Sequence, residues 1–260
     1  VAGGNINLEL LFEGLGLFLK GAMGGYGFEA DTPVADANTH TFTLAKALPF
    51  FTLEASKADV PTGEVFQYPG SMVNTLGISV KEEEILEMVA GIISQTENPG
   101  ETASGTPSFP SFLPALSHMR GTLTLAGAAA LLFKTADFAI DNKLERRFLG
   151  QKTTREPKRN GKRVVSGSVV TEFDDLTLYT KYKDGTPGAL SLLFTSDQMV
   201  TGATPYSLAI TAPDVWLNGK TPAVPGEGIA EATWGFISLH DGTSTDALTI
   251  AIVNGAATLA

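Results

Sequence analysis

The chain has no cysteine among its 260 residues, which excludes disulfides and thiolate chemistry. It has three histidines, His40, His118 and His240, too far apart to form a metal-ligand motif. They read as loop or surface residues. Long apolar runs are missing as well. The most apolar stretch, residues 5–25, is interrupted by Glu9, Glu13 and Lys20 and lacks a basic leading region, so it reads as neither signal peptide nor membrane span. The chain begins at Val1, so an initiator methionine is expected to have been removed or to lie outside the numbering. No GxSxG elbow occurs. Asn218-Gly219-Lys220-Thr221 resembles the end of a phosphate loop, but the glycine required five residues before Gly219 is Asp214, and Lys220 reads as a turn residue. Asp241, Thr243, Thr245 and Asp246 could offer oxygens to a cation but match no calcium-loop pattern. These absences leave no signature of an enzyme, and no cofactor is expected.

What is present is alternation and turns. Hydrophobic content of 43% with 18% charged residues is that of a globular chain, and 28 Gly with 14 Pro provide many turns. Residues 85–94 (ILEMVAGIIS) and 229–238 (IAEATWGFIS) agree at five of ten positions. The first copy alone fits a helical stripe or a strand. The second, with Thr233, Trp234, Phe236 and Ile237, favours a strand. As strands, both put apolar residues on one face: Leu86, Met88, Ala90 and Ile92 in one, Ala230, Ala232, Trp234 and Phe236 in the other. Glu87 and Glu231 then fall on the opposite face.

In chain order, 5–11 reads as a strand, 12–22 as a short helix stopped near Gly24-Gly25, and the next stretch as a polar loop. Residues 39–45 and 50–56 alternate like two strands paired around Leu48-Pro49. Residues 57–70 read as a loop, 73–80 as a strand, Lys81 to Glu84 as a charged turn, and 95–120 as a long proline-bearing loop. Strands are expected over 121–127, 133–141, 164–173, 188–196, 206–212 and 247–255. A second helix is expected from a cap at Asp174 or Asp175 to a stop at Gly185. Each half runs strand, helix, strands, repeat strand and closing strand. This order predicts a duplication with domains at 1–140 and 164–260, joined by a basic segment at 141–163.

Charge is unevenly spread. Nine of the 18 basic residues lie between Lys143 and Arg163, opposed only by Glu145 and Glu156, so that segment is +7. The other nine basic and 26 acidic residues leave the remainder at −17. The candidate contact residues are Arg146, Arg147, Lys152, Arg155, Lys158, Arg159, Lys162 and Arg163. With Phe148 the only aromatic there, stacking on single-stranded nucleic acid is poorly supported. The segment reads first as a strap onto an acidic neighbour, then as a solvated loop, then as a phosphate-backbone binder. Glu82, Glu83, Glu84, Glu87 and Glu231 are the matching acidic candidates, for a channel or an interface. Glu82–Glu84 could equally be a solvated hairpin tip.

The phrases HTFTLAKALPFFTLEA, VNTLGISV, FAIDNKLERRFLG and REPKRNGKRVVSGSVVTEFDDLTLY resemble the tail tube (major tail) proteins of long non-contractile-tailed bacteriophages, over most of residues 5–200. The resemblance implies a mainly β fold: a β-sandwich or half-barrel with flanking helices, closing between subunits into a β-barrel ring. It implies a structural virion protein without enzymatic activity. Stacked rings would form a tube around the tape measure protein, with tail terminator and distal tail proteins as neighbours. DNA would pass without specific binding. Assembly would take place in the host cytoplasm. Single-domain tube proteins commonly form six-subunit rings, so a duplicated chain is expected to make a trimer of pseudo-six-fold symmetry, with a hexamer as the alternative. The rival reading is a non-assembling β-sandwich binding module, for example for carbohydrate, with Trp216 as its exposed aromatic.

Overall fold

Alternation of apolar and polar residues dictates strands along most of this chain. The computed structural model describes residues 2–30, 37–57, 64–105, 115–148, 150, 154–174, 176–202, 204–219, 229–240 and 246–259. The first half contains β1 (Gly3–Glu9), α1 (Gly16–Met23), β2 (Gly24–Ala30), β3 (Asn38–Leu44), β4 (Phe51–Ser56), β5 (Val65–Lys81), β6 (Glu87–Ile93), β7 (Asn98–Glu101), β8 (Gly121–Leu125), β9 (Ala128–Leu131) and β10 (Phe133–Asp141). A small hairpin follows, β11 (Leu144–Arg147) and β12 (Arg155–Arg159). The second half contains β13 (Val164–Glu172), α2 (Thr177–Asp184), β14 (Gly188–Thr201), β15 (Thr204–Gly219), β16 (Glu231–Ser238) and β17 (Thr249–Asn254). The fold is mainly β with two short helices, as the sequence predicts.

Apart from the separate β11–β12 hairpin, the strand pairings, all antiparallel, form one network that folds over into two layers. The first layer runs β1-β6-β5-β10-β13-β16 and ends on the last part of β15. The second runs β2-β3-β17, then the first part of β15, then β14-β8-β9. β15 belongs to both. Residues 207–211 pair with β17, and Val215–Gly219 pair with β16. The change of layer falls at Pro213 and Asp214, beside a bulge against β14, where a missing N–H costs the ladder nothing. Ile78, Phe138, Val169 and Phe236 of the first layer meet Leu123, Leu190, Leu192 and Phe194 of the second around one small void.

The two repeat copies become β6 and β16. Leu86, Met88, Ala90 and Ile92 are buried, as are Ala232, Trp234 and Phe236, while Ala230 is half-buried. Trp234 is among the largest side chains in the core, and its indole N–H donates to Thr171 Oγ1 at 3.1 Å. Glu87 and Glu231 are exposed on the opposite face. Their neighbours also correspond. In β1–β6, Glu9 lies opposite Glu87 and Asn5 opposite Gly91. In β13–β16, Glu172 lies opposite Glu231 and Ser168 opposite Gly235. A helix follows the flanking strand each time; α1 packs on β5 and α2 on β15. The halves share one sheet and one core, because β10 runs against β13 from Phe133–Thr171 to Asp141–Val164.

Several local expectations are corrected. β3 and β4 do not pair with each other: β3 lies between β2 and β17, and β4 joins β5. The alternation of each strand is real, but alternation does not specify a partner. The stretch after α1 continues as β2 up to Ala30; the rest of the expected polar loop, residues 31–36 with Pro33, lies outside the described residues. The residues expected as a loop before 73 are strand from Val65 onward, and β7 and a short 3₁₀ turn at His118–Arg120 interrupt the stretch expected to be loop throughout. β14 and β15 extend well beyond their apolar cores to meet at a turn containing Gly202. α2 starts at Leu176 without a side-chain cap, so Asp174 does not cap it; Asp175 lies outside the described residues. Gly185 ends α2 in the left-handed conformation, as expected. His40 is no surface residue. It is buried in β3, with its ring nitrogens bonded to Tyr26 Oη at 2.9 Å and to Ala256 O at 2.9 Å.

Candidate functional site

The outward face of the first layer is built from small and polar side chains. β5 contributes Thr75, Gly77 and Ser79; β10 contributes Asp137, Ala139 and Asp141; β13 contributes Ser166 and Ser168; β16 contributes Thr233 and Gly235. Large aromatics are absent from these positions; exposed Val89, Val164 and Ile237 share the face, and Trp216, opposite Ile237, stands on it at the β15 edge. Apart from Asp137 and Asp141 of β10, the carboxylates of this face gather at one end. Glu9 faces Glu87, Glu172 faces Glu231, and the β5–β6 turn adds exposed Glu82, Glu83 and Glu84. Like charges directly opposite on a sheet repel. Two lysines moderate the repulsion. Lys134 Nζ lies 2.6 Å from Glu231 Oε1, and the bond to that carboxylate holds the ammonium above its ordinary range. Lys81 Nζ lies 3.6 Å from Glu84.

The basic segment occupies the opposite end. It leaves the sheet after Asp141, returns at Val164, and folds as the β11–β12 hairpin. Its root is a buried polar knot around Asn142. The Asn142 amide group donates to Ala22 O at 2.9 Å and Val73 O at 3.1 Å, and its Oδ1 accepts from Arg163 Nε at 2.6 Å. Arg163 also donates to Ala45 O at 2.8 Å. Burial, with Arg159 nearby, pushes its pKa down to about 10. Arg159 donates to Asn142 O at 3.2 Å, Arg147 to Glu156 O at 3.1 Å, and Arg146 to Ala2 O. Arg146 Nε and Arg159 Nη2 are buried without an acceptor among the described residues.

The eight basic candidates therefore separate. Arg146, Arg147, Arg159 and Arg163 are half-buried and reach backbone carbonyls of their own chain. Arg155, Lys158 and Lys162 are exposed. Lys152 lies outside the described residues. Sequence reasoning counted cations without seeing Asn142, whose place between two strands of the sheet carries no motif. Phe148 is exposed on the same hairpin.

Both edges of the first layer are open among the described residues. β1 pairs only with β6, and β15 beyond Val215 pairs only with β16. Trp216 is 46% exposed at that second edge, beside Gly185. Of the motif near-misses, Lys220, Thr221, Asp241, Thr243 and Thr245 lie outside the described residues. Among the described residues, no group of three His, Asp or Glu side chains could hold a metal ion, and no helix is long and apolar enough to cross a membrane.

A two-layer sandwich with a largely polar face, and with strand edges unpaired among the described residues, suits association through its sheet. The chain belongs to the phage tail tube protein family, whose model matches residues 1–238. It is thus a structural component of the virion tail that assembles with itself into a tube. No curated protein matches it.

Two substitutions separate the roles of these charges. Arg163→Ala lowers unfolding free energy by about 1.5–3 kcal/mol, because Asn142 loses a charged donor in a buried site. Lys158→Ala changes it by less than about 0.5 kcal/mol. Chemical denaturation of the two variants checks this, and equal losses would contradict it. Glu87→Gln relieves the repulsion from Glu9 and raises stability by roughly 0.2–0.5 kcal/mol at low salt. The gain shrinks as salt screens the pair; a loss of stability on the same substitution would contradict the like-charge reading.

Proposed function

We propose that this chain forms closed rings that stack into the tail tube, with the first layer facing the channel. The observation that carries the reading is the continuous first layer, acidic on its outward face and open at both edges among the described residues. Unpaired edges are a hazard in a monomer, and pairing between copies removes it. A carboxylate-bearing wall of mostly small residues suits a conduit, because it repels DNA phosphates; Trp216 stands at its β15 edge, where a neighbouring copy would cover it. The tube would surround the tape measure protein during assembly in the host cytoplasm and later pass DNA. The tail terminator and distal tail proteins would close its ends. The role is structural and needs no catalysis.

The repeated register of β1–β6 and β13–β16 supports two fused tube units, 1–140 and 164–260, joined by the basic segment. In this reading β13 stands to β10 within the chain as β1 stands to a neighbouring copy. Gly4 supports the correspondence. A side chain at Gly167 would collide first with the Asp137 carbonyl oxygen of the neighbouring β10, and then with Phe236, whereas one at Gly4, its counterpart in β1, would meet nothing within 4 Å. Open space at that position is what an absent neighbour leaves. Three chains then supply six units. Averaged end-on electron-microscopy views of purified tubes are expected to contain three copies of the chain per ring. Six copies would overturn the fused-unit reading while leaving the tube intact.

A further inference from the structure

The registers place the acidic and basic groups at opposite ends of the same strands. Lys81 pairs with Thr135 and Thr75 with Asp141, so β5 and β10 enter the acidic turn at one end and reach the root of the basic hairpin at the other. The hairpin stays at its own end, where Arg146 reaches Ala2 and Thr154 donates to Gln95 O. Six residue steps of strand span about 20 Å. This is roughly twice the screening length at physiological salt, so the two groups do not neutralise each other within one copy.

We infer that the basic hairpin of one copy docks, through Arg155, Lys158 and Lys162, on the Glu82–Glu84 rim of a copy in the next ring. The inference rests on the tube reading and gives it a direction. Charge complementarity along the strands makes end-to-end stacking favourable in one sense only. Two acidic rims repel, as do two basic hairpins, so a ring cannot be added upside down. The rim is available: Glu82, Glu83 and Glu84 are all exposed, and among the described residues Lys81 alone forms an ion pair with them, through Glu84. On the hairpin, the half-buried arginines hold the root while the three exposed cations stay free of ion pairs within the chain, among the described residues. A competing acidic surface exists near the hairpin end, at Glu54, Glu97 and Glu101 of β4, β7 and their approach. Glu54 is already engaged by Ser104 and Gln67.

Charge reversal tests this on the full chain. Glu82→Lys, Glu83→Lys and Glu84→Lys together reverse the rim; Arg155→Glu, Lys158→Glu and Lys162→Glu together reverse the hairpin. Circular dichroism and thermal melts establish that each variant folds. Each triple variant alone is expected to shorten tubes in electron micrographs by roughly tenfold or more while single rings persist. Combining all six substitutions in one chain restores long tubes, as does mixing the two triple variants. Normal tubes from either triple variant, or no rescue by the combination, overturns the docking. Rescue of the reversed hairpin by lysines at Glu97 and Glu101, and not by the reversed rim, also overturns it. Absence of both rings and tubes from the unaltered chain would instead remove the tube reading on which the inference rests.

Discussion

Backbone hydrogen bonding at the edges of one sheet constrains everything else in this molecule. The first layer ends at β1 on one side and at the last residues of β15 on the other, and neither edge has a further partner strand among the described residues. Soluble proteins usually blunt such edges with proline, lysine or a covering loop. β1 carries neither proline nor lysine; its sequence GGNINLE is neutral until Glu9. The chain is built to leave this edge available, which is how a protein behaves when its sheet continues into another molecule.

A second sheet makes that openness tolerable. The core between the layers buries Trp234, Phe236, Phe194 and Phe42 with the aliphatic rows of β5, β6, β15 and β17, so the fold does not depend on the edges for its stability. β15 ties the layers together as one strand, and the Asn142 knot anchors the hairpin where β10 gives way to β13. With the hairpin held at its root, exposed Arg155, Lys158 and Lys162 stay clear of ion pairs within the chain, among the described residues. The acidic end has the opposite character, with paired carboxylates held against each other by the strand register.

Much of this was legible in the sequence. Strand positions follow from period-two alternation, and the burial of Leu86, Met88, Trp234 and Phe236 follows from the parity of the two repeat copies. The acidic and basic clusters are visible as composition. Three things were not legible. Strand partners were not, because β3 and β4 alternate equally well whichever neighbour they have. The division of labour among the arginines was not, since a guanidinium bound to a buried carbonyl looks the same in sequence as one in solvent. The burial of His40 was not, because its partners Tyr26, Asn254 and Ala256 come from opposite ends of the chain and share no spacing rule.

The central claim is that the first layer faces the channel of an assembled tube. A cryo-electron microscopy reconstruction of tubes made from the purified chain tests it most directly. The account predicts a wall in which β1, β6, β5, β10, β13 and β16 form the innermost sheet, with Glu87 and Glu231 directed at the lumen. A reconstruction with β3, β17 and β14 lining the channel, and the first layer outside, would contradict it.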